Sequence, residues 1–230
     1  MERPEDYESI TTLNILYKNL TELPSWVSEC KNLKILNCYV NELIQLNNLP
    51  PTLKHLYCCY NQITQLDNLP LTLETLDCRY NKLTELNNLP PTLKELNCSC
   101  NRITQIDNLP PTLEILYCRY NNITQLDNLP LTLEILDCSN NHITYLDNLP
   151  IILEILSCNN NQITHLNNLP LTLKELYCRN NKIIYLDNLP MSLKNLYCDN
   201  NLLKYEFEHT LENIRNYNNQ NNQNNHNNHN

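Results

Sequence analysis

The sequence predicts an α/β-type repeat solenoid, a curved horseshoe with a parallel β-sheet on its concave face and extended or 3₁₀ turns on its convex face. Three observations support this prediction. The 230-residue chain repeats itself every 20 residues, and each repeat carries one short segment in which apolar and polar residues alternate. The chain also contains no Gly and is rich in Asn and Pro, so its turns must use these residues instead.

The repeat becomes visible when the chain is aligned with itself. Leu93–Thr112 reads LKELNCSCNRITQIDNLPPT, and Leu113–Thr132 reads LEILYCRYNNITQLDNLPLT. Units begin at every twentieth residue from Leu33 to Leu193, and a degenerate first unit begins at Ile10 and takes three extra residues before Leu33. About ten units therefore fill residues 10–203, the last of them incomplete.

Each unit divides into two parts. The segment x-L-x-C-x alternates as a strand does, and strands of successive units are expected to pair in parallel about 4.8 Å apart. The other part is too short for a long helix, and its Pro and Asn favour extended or short 3₁₀ turns. A single unit cannot bury its own apolar residues, so the units must stack to form one continuous core.

The repeat pattern resembles that of the leucine-rich-repeat family. The pattern is L-x-x-L-x-C-x-x-N-x-I/L, carried in one unit by Leu93, Leu96, Cys98, Asn101 and Ile103. The unit length and the phrase N-L-P-P-T-L-K-E-L are similar to the short repeats of bacterial secreted effectors. The resemblance covers roughly residues 10–203. It implies a horseshoe in which the repeated Asn is buried and bonds to the backbone of adjacent loops.

Two ladders of residues are interpreted as structural. Nine of the twelve cysteines, Cys98 and Cys118 among them, recur every 20 residues at an inward strand position, where free Cys packs as a small hydrophobe. Zinc sites need clustered ligands, and disulfides need Cβ atoms that face each other, so neither reading is favoured. Asn101 and Asn121 belong to the second ladder, which pairs polar backbone groups of the buried turns.

Five units carry Asp before the N-L-P phrase, but the other units carry Asn there, so turn chemistry is a better reading than a calcium site. The six His are scattered, and no phosphate loop or H-E-x-x-H motif is present. A G-x-S-x-G motif is impossible without Gly. We therefore predict no enzyme activity, no cofactor and no metal.

The charge and composition of the chain limit which partners and which cellular compartments are expected. The formal net charge of −9 disfavours binding to phosphate backbones, so we expect no nucleic-acid partner. No apolar stretch is long enough for a membrane span, and the first ten residues do not form a signal peptide. These features predict a cytoplasmic or otherwise intracellular protein. The absence of Gly and Ala beside abundant Asn, Ile, Lys and Tyr is typical of an AT-rich genome.

The candidate binding surface is the outward face of the strands, where Tyr, Arg and Ile collect. Tyr and Arg are enriched in interface hot spots, and a column of Ile would form an apolar stripe if exposed. The candidate partner-binding residues are Tyr57, Tyr60, Arg79, Tyr80, Ile115, Tyr117, Arg119, Tyr120, Ile135, Ile155, Tyr177 and Arg179. The alternative is that Tyr and Ile are simply good strand formers. We expect a folded protein to lie across residues 73–182.

The chain ends are expected to differ from the array. Residues 1–9 form a short N-terminal segment. Residues 204–217 are predicted to form a capping helix, because Phe207, Leu211 and Ile214 have the spacing of one helix face. Residues 218–230 contain only Asn, Gln and His and are predicted to form a disordered low-complexity tail.

The sequence as a whole predicts a protein–protein interaction module, an adaptor or a host-interaction factor. The alternative is a substrate receptor that works with a separate ubiquitin-ligase chain. The resemblance suggests this alternative because bacterial relatives often fuse such repeats to a catalytic ligase domain. The roughly 27 residues after the array are too few for that domain. An extracellular recognition protein is disfavoured by the unpaired cysteine ladder and the expected absence of a signal peptide.

Overall fold

The computed structural model describes residues 2–227, with side chains described as far as residue 220. Ten short parallel strands form one sheet, and their order in the sheet follows the chain. The strands are β1 (Thr12–Asn14), β2 (Ile35–Asn37), β3 (His55–Tyr57), β4 (Thr75–Asp77), β5 (Glu95–Asn97), β6 (Ile115–Tyr117), β7 (Ile135–Asp137), β8 (Ile155–Ser157), β9 (Glu175–Tyr177) and β10 (Asn195–Tyr197). The predicted solenoid with a parallel sheet is therefore confirmed.

The strand register reproduces the repeat. Residues twenty apart lie opposite each other, as Leu116 and Leu136 do. In β1, Thr12 pairs with Ile35, so the degenerate segment that begins at Ile10 is a true first unit. The extra residues of that unit form a 3₁₀ helix, Ser25–Glu29.

The core is a stack of apolar ladders. In one unit Leu93, Leu96, Cys98 and Ile103 are fully buried, and Ile106 is nearly so. The equivalent residues of the other units join them in one continuous cluster. A three-residue strand has too little apolar surface to be stable alone, so each unit depends on its neighbours for burial.

The buried Asn ladder closes the turn that follows each strand. The Oδ1 atom of Asn121 accepts a hydrogen bond from the Ile103 N–H at 2.9 Å. Its Nδ2 donates to the carbonyl oxygens of Cys98 and Cys118, both at 3.1 Å. One amide therefore bonds backbone groups of two successive units, and the Ile103 N–H would otherwise be buried without a partner. Each carbonyl also accepts from a second Asn of the ladder, Asn101 for Cys98 and Asn141 for Cys118.

Turning without Gly requires two residues per unit in the left-handed region. One precedes the ladder Asn, and the other is the second residue of the N-N-L-P or D-N-L-P phrase. Tyr120 (φ 55°) and Asn128 (φ 54°) show the two positions in one unit. Asn occupies the second position in each of the eight units that begin from Leu33 to Leu173. The first position holds Tyr17, Val40, Tyr60, Tyr80, Cys100 and Tyr120 in the first six units and Asn140, Asn160, Asn180 and Asn200 in the last four.

The C-terminal helix α1, Leu211–Asn227, differs from the prediction at both ends. It begins later because Tyr205 is held outside it: the Tyr205 hydroxyl accepts a hydrogen bond from the Leu186 N–H at 2.9 Å. Thr210 then caps the helix, its Oγ1 accepting from the Asn213 N–H at 3.2 Å. The helix continues through most of the segment predicted to be disordered, whose residues 228–230 lie outside the described residues.

The helix covers the last unit of the array. Ile214 is fully buried against the core, and Leu211 packs beside it, part-buried. Asn218 Nδ2 donates to the Leu186 carbonyl at 2.9 Å, which ties the helix to the preceding unit. Between residues 2 and 227, no helix is both long enough and apolar enough to cross a bilayer.

Candidate functional site

The candidate residues lie in adjacent columns on the sheet face. In the unit of β6 they are Ile115 and Tyr117, at the two ends of the strand, and Arg119 and Tyr120 just after it. Each position recurs in the next unit because the strands pair in register, although Tyr117 itself lies opposite Asn97 and Asp137. The strand residues are half-buried, whereas Arg119 and Tyr120 are exposed. The structure thus brings the predicted residues of successive units onto one surface.

The Ile column is continuous but only partly exposed. Ile115 lies opposite Ile135, and Ile135 lies opposite Ile155. All three side chains are half-buried. They form a half-buried apolar column on one side of the Tyr117, Arg119 and Tyr120 positions and not the open stripe that the sequence allowed.

A tyrosine cluster occupies the N-terminal end of the face. The Tyr60 and Tyr80 rings stack with centroids 4.2 Å apart, and Tyr17 meets Tyr39 edge-on at 5.6 Å. A concavity of roughly 550 Å³ lies beside them, lined by Tyr17, Asn37, Tyr39, Val40, Tyr57, Cys59, Tyr60, Asp77 and Arg79. Three of these residues, Tyr57, Tyr60 and Arg79, are among the predicted candidates, although the expected footprint of the partner began only at residue 73.

An ion pair orders part of this concavity. Arg79 Nε lies 3.1 Å from Asp77 Oδ2, and Asp77 Oδ1 accepts a hydrogen bond from the Arg79 N–H at 3.2 Å. Burial raises the pKa of the Asp77 carboxyl, and the contacts with Arg79 oppose that rise. Arg79 is therefore held against the sheet, with its side chain partly exposed to a partner.

A second group of Tyr and Arg lies at the C-terminal end. The Tyr177 and Tyr197 rings stack with centroids 4.9 Å apart, and the Arg179 guanidinium lies 4.8 Å from the centre of the Tyr197 ring. Arg179 Nε also donates to Asp199 Oδ2 at 2.7 Å. The Tyr177 hydroxyl donates to Glu175 Oε2 at 2.6 Å, and this bond raises the pKa of Tyr177 to about 12.

The candidate side chains in the middle of the face take part in the fewest ion pairs and aromatic pairs within the chain. None of the ion pairs among residues 2–220 involves Arg119. None of the aromatic pairs there involves Tyr117 or Tyr120. A partner could therefore contact these three side chains without breaking an ion pair or an aromatic pair.

The buried thiols of the cysteine ladder do not provide a nucleophile. All twelve cysteines are free, and eleven of them are buried. Burial raises the pKa of Cys98 to about 12 and that of Cys118 well above its ordinary value, so both remain protonated thiols near neutral pH. Across the part of the chain that the structure describes, no three His, Cys, Asp or Glu side chains are grouped as metal ligands.

The sequence reasoning missed a second exposed column. The residue after each N-L-P phrase lies at the tip of the turn that leads into the next strand, and it is apolar in all eight units from Pro51 to Met191. Where it is not Pro, its exposed fraction is 72–86%, at Leu71, Leu131, Ile151, Leu171 and Met191. The signal was present in the repeat alignment, because an exposed turn position has no packing reason to be apolar in every unit.

A parallel sheet with one short strand per 20-residue unit, closed by a ladder of buried Asn, defines a leucine-rich-repeat protein. No family model matches the chain, and neither does any curated protein. Solved structures of leucine-rich-repeat proteins do match it. This similarity and the fold together show that the chain belongs to the leucine-rich-repeat family.

Three of these structures come from bacterial proteins. YopM from Yersinia enterocolitica WA-314 is 35% identical, with a TM-score of 0.71, over 81% of this chain and 46% of its own. YopM from Yersinia pestis, described as a leucine-rich effector protein, is 36% identical, with a TM-score of 0.72, over 79% of this chain and 51% of its own. The functional domain of InlJ from Listeria monocytogenes, which includes a cysteine ladder, is 32% identical, with a TM-score of 0.76, over 86% of this chain and 46% of its own. The chain spans about half the length of these structures.

Proposed function

We propose that this chain is a non-catalytic module that binds a polypeptide partner on its concave sheet face, as an adaptor or a host-interaction factor. The observation that carries the proposal is that Tyr117, Arg119 and Tyr120 lie on that face beside the in-register column of Ile115, Ile135 and Ile155. Tyr and Arg are enriched among the residues that contribute most to binding at protein interfaces. The description of a structural relative as an effector supports the host-interaction role.

The face has the extent and rigidity that a folded partner requires. Strands β4 to β9 span about 25 Å at the usual strand spacing, which suits an interface of about 800 Å² per partner. The backbone beneath is pinned in every unit by the Asn ladder, as Asn121 shows. A pre-organised surface loses little entropy on binding.

The net charge of the chain limits the kind of partner that it can bind. A net charge of −9 repels nucleic acids and favours a partner whose contacting surface is basic or neutral. The central residues Tyr117, Arg119 and Tyr120 would make the main contacts, with the half-buried Ile column forming the apolar centre of the interface.

Site-specific photo-crosslinking tests the proposal. A photoreactive phenylalanine analogue replaces Tyr120, and in a matched control it replaces Tyr185, an equally bulky exposed residue outside the concave columns. Their exposed fractions, 54% and 43%, are similar, so random collisions label both positions. We expect a discrete crosslinked polypeptide from position 120 and none from position 185. Equal labelling from the two positions would contradict a concave-face site.

A further inference from the structure

The turns that lead into the strands form a second surface. The Leu133 N–H donates to the Pro130 carbonyl at 3.1 Å and closes a β-turn that places Leu131 at its second residue. The equivalent turns place Ile151, Leu171 and Met191 at the same point in the next three units. We call these four side chains, Leu131, Ile151, Leu171 and Met191, the turn-tip row. Their exposed fractions lie between 74% and 86%.

The turns themselves do not need these side chains. Pro is favoured at the second residue of such a turn, and Pro51, Pro91 and Pro111 occupy it in other units. Where Pro is absent, a polar residue would serve an exposed position equally well. The row instead carries Leu, Ile, Leu and Met in four consecutive units, which together expose on the order of 500 Å². Patches of this size on a monomer are often interaction sites.

The row is rigid and regularly spaced. Thr132 Oγ1 donates to the Pro111 carbonyl at 2.8 Å, and Thr172 Oγ1 donates to the Ile151 carbonyl at 2.9 Å. These bonds fix each turn to the turn of the preceding unit. At the strand spacing of about 4.8 Å, four tips span about 15 Å, which is the length of three turns of an α-helix. A helix with one apolar residue per turn therefore matches the row tip by tip.

Acidic residues flank the row. Exposed Asp127, Asp147 and Asp187 stand four residues before the tips Leu131, Ile151 and Met191, and Glu134 follows Leu131 by three residues. No ion pair among residues 2–220 involves any of these four carboxylates. In the same column as Glu134, Glu154 is paired with Lys174 at 2.6 Å, and exposed Lys194 follows Met191. The carboxylates beside the row therefore outnumber the lysines by five to two. An acidic border repels an anionic membrane and the same border of a second copy, and it attracts basic residues.

We propose that the turn-tip row is a second docking surface, and that it takes a basic amphipathic helix of a polypeptide partner. The helix lays its apolar face along the four tips, and its Lys or Arg residues lie over the bordering carboxylates. This surface lies at the edge where the strands begin and is separate from the concave columns. The proposal therefore stands or falls independently of the proposed function.

The test uses the full chain and a fluorescein-labelled Leu/Lys peptide of about 14 residues that forms an amphipathic helix. Two further peptides are controls: one has Glu in place of Lys, and one has the same composition scrambled so that the apolar stripe is lost. Binding is followed by fluorescence anisotropy at physiological salt. We expect the basic amphipathic peptide to bind at least about tenfold more tightly than either control.

Variants locate the binding. Replacing all four tips by Ser leaves the net charge unchanged, and we expect at least a tenfold loss of affinity because the apolar contacts disappear. Leu71→Ser, which changes an isolated tip, and the concave double variant Tyr117→Ala with Arg119→Ala should both retain native affinity. Circular dichroism verifies that each variant is folded.

Three outcomes overturn the proposal. If the four-Ser variant binds as the native chain does, or if the scrambled peptide binds equally well, the attraction is one of charge alone. If light scattering shows a dimer of the free chain that the four-Ser variant abolishes, the row pairs with a second copy. If neutral lipid vesicles capture the native chain but not the four-Ser variant, the row is a lipid-binding surface.

Discussion

Val40 occupies a backbone position that its side chain disfavours, and replacing it should stabilise the protein. Its φ is 52°, in the left-handed region, where a β-branched residue is an outlier and costs on the order of 2 kcal/mol. Asn occupies the same position in the last four units and tolerates this conformation best among residues with a Cβ. Val40→Asn therefore relieves most of that cost. It loses part of the burial of a small, half-buried side chain, about 0.5 kcal/mol, so the net gain is about 1 kcal/mol.

The reciprocal change is the matched control. Asn140 has a φ of 58° at the equivalent point five units later, and no described hydrogen bond uses its side chain. Asn140→Val should therefore destabilise by about 1–2 kcal/mol through the backbone alone. The two sites are about 24 Å apart, so the effects should add in the double variant.

Calorimetry measures the outcome. For a chain of this size, 1 kcal/mol corresponds to a shift in Tm of about 2–4 °C. We expect Val40→Asn to raise Tm and Asn140→Val to lower it, with the double variant close to the native chain. A lower Tm for Val40→Asn, together with an unchanged Tm for Asn140→Val, would refute the assignment of left-handed turns to this column.

Three further predictions concern the ladders. Asn121→Ala should destabilise by about 2–3 kcal/mol in denaturant unfolding, because the buried Ile103 N–H loses its partner and the Cys98 and Cys118 carbonyls each lose one of two Asn donors. Asn122→Ala at the exposed neighbouring site should change stability by less than about 0.5 kcal/mol, and similar values for both variants would contradict the ladder. Cys100 is the one cysteine of the twelve that is not buried, so iodoacetamide should alkylate it first in the native chain. Peptide mass spectrometry would show the order of labelling, and early labelling of Cys98 would argue against the buried ladder. The free energy of unfolding should fall as the pH rises from about 9 towards 12. The reason is that burial holds the pKa of Cys38 and Cys98 at about 12 in the folded state, whereas the unfolded thiols ionise near 9.0. Thermal melts at stepped pH that show no loss of stability in this range would refute the coupling.

The sequence was sufficient to predict the array because its signal is redundant. The same inward Leu, Cys and Asn recur in every unit, so strand register follows from counting twenty residues, and even the unit at Ile10 was placed correctly. The unit is also self-contained: its strand, turn and ladder contacts are with the adjacent units, so local pattern determines tertiary position.

The features that the sequence did not predict lie where the repeat ends, or depend on how far a side chain is exposed. Helix α1 begins at Leu211 because Tyr205 bonds to the backbone of a preceding unit, a contact that no periodicity encodes. The Ile column is half-buried because strand residues in a sheet shield one another. The turn-tip row lies outside the strands, and the alternation that marks exposed residues in a strand does not extend to these turns.

The central claim is that the exposed middle of the concave face makes the contacts with a polypeptide partner. The most direct measurement is the affinity of the polypeptide crosslinked at position 120, by isothermal titration, for the native chain and for Tyr117→Ala combined with Arg119→Ala. The account predicts that affinity falls by about a hundredfold in the double variant and is unchanged in Tyr185→Ala. Native affinity in a correctly folded double variant would contradict it.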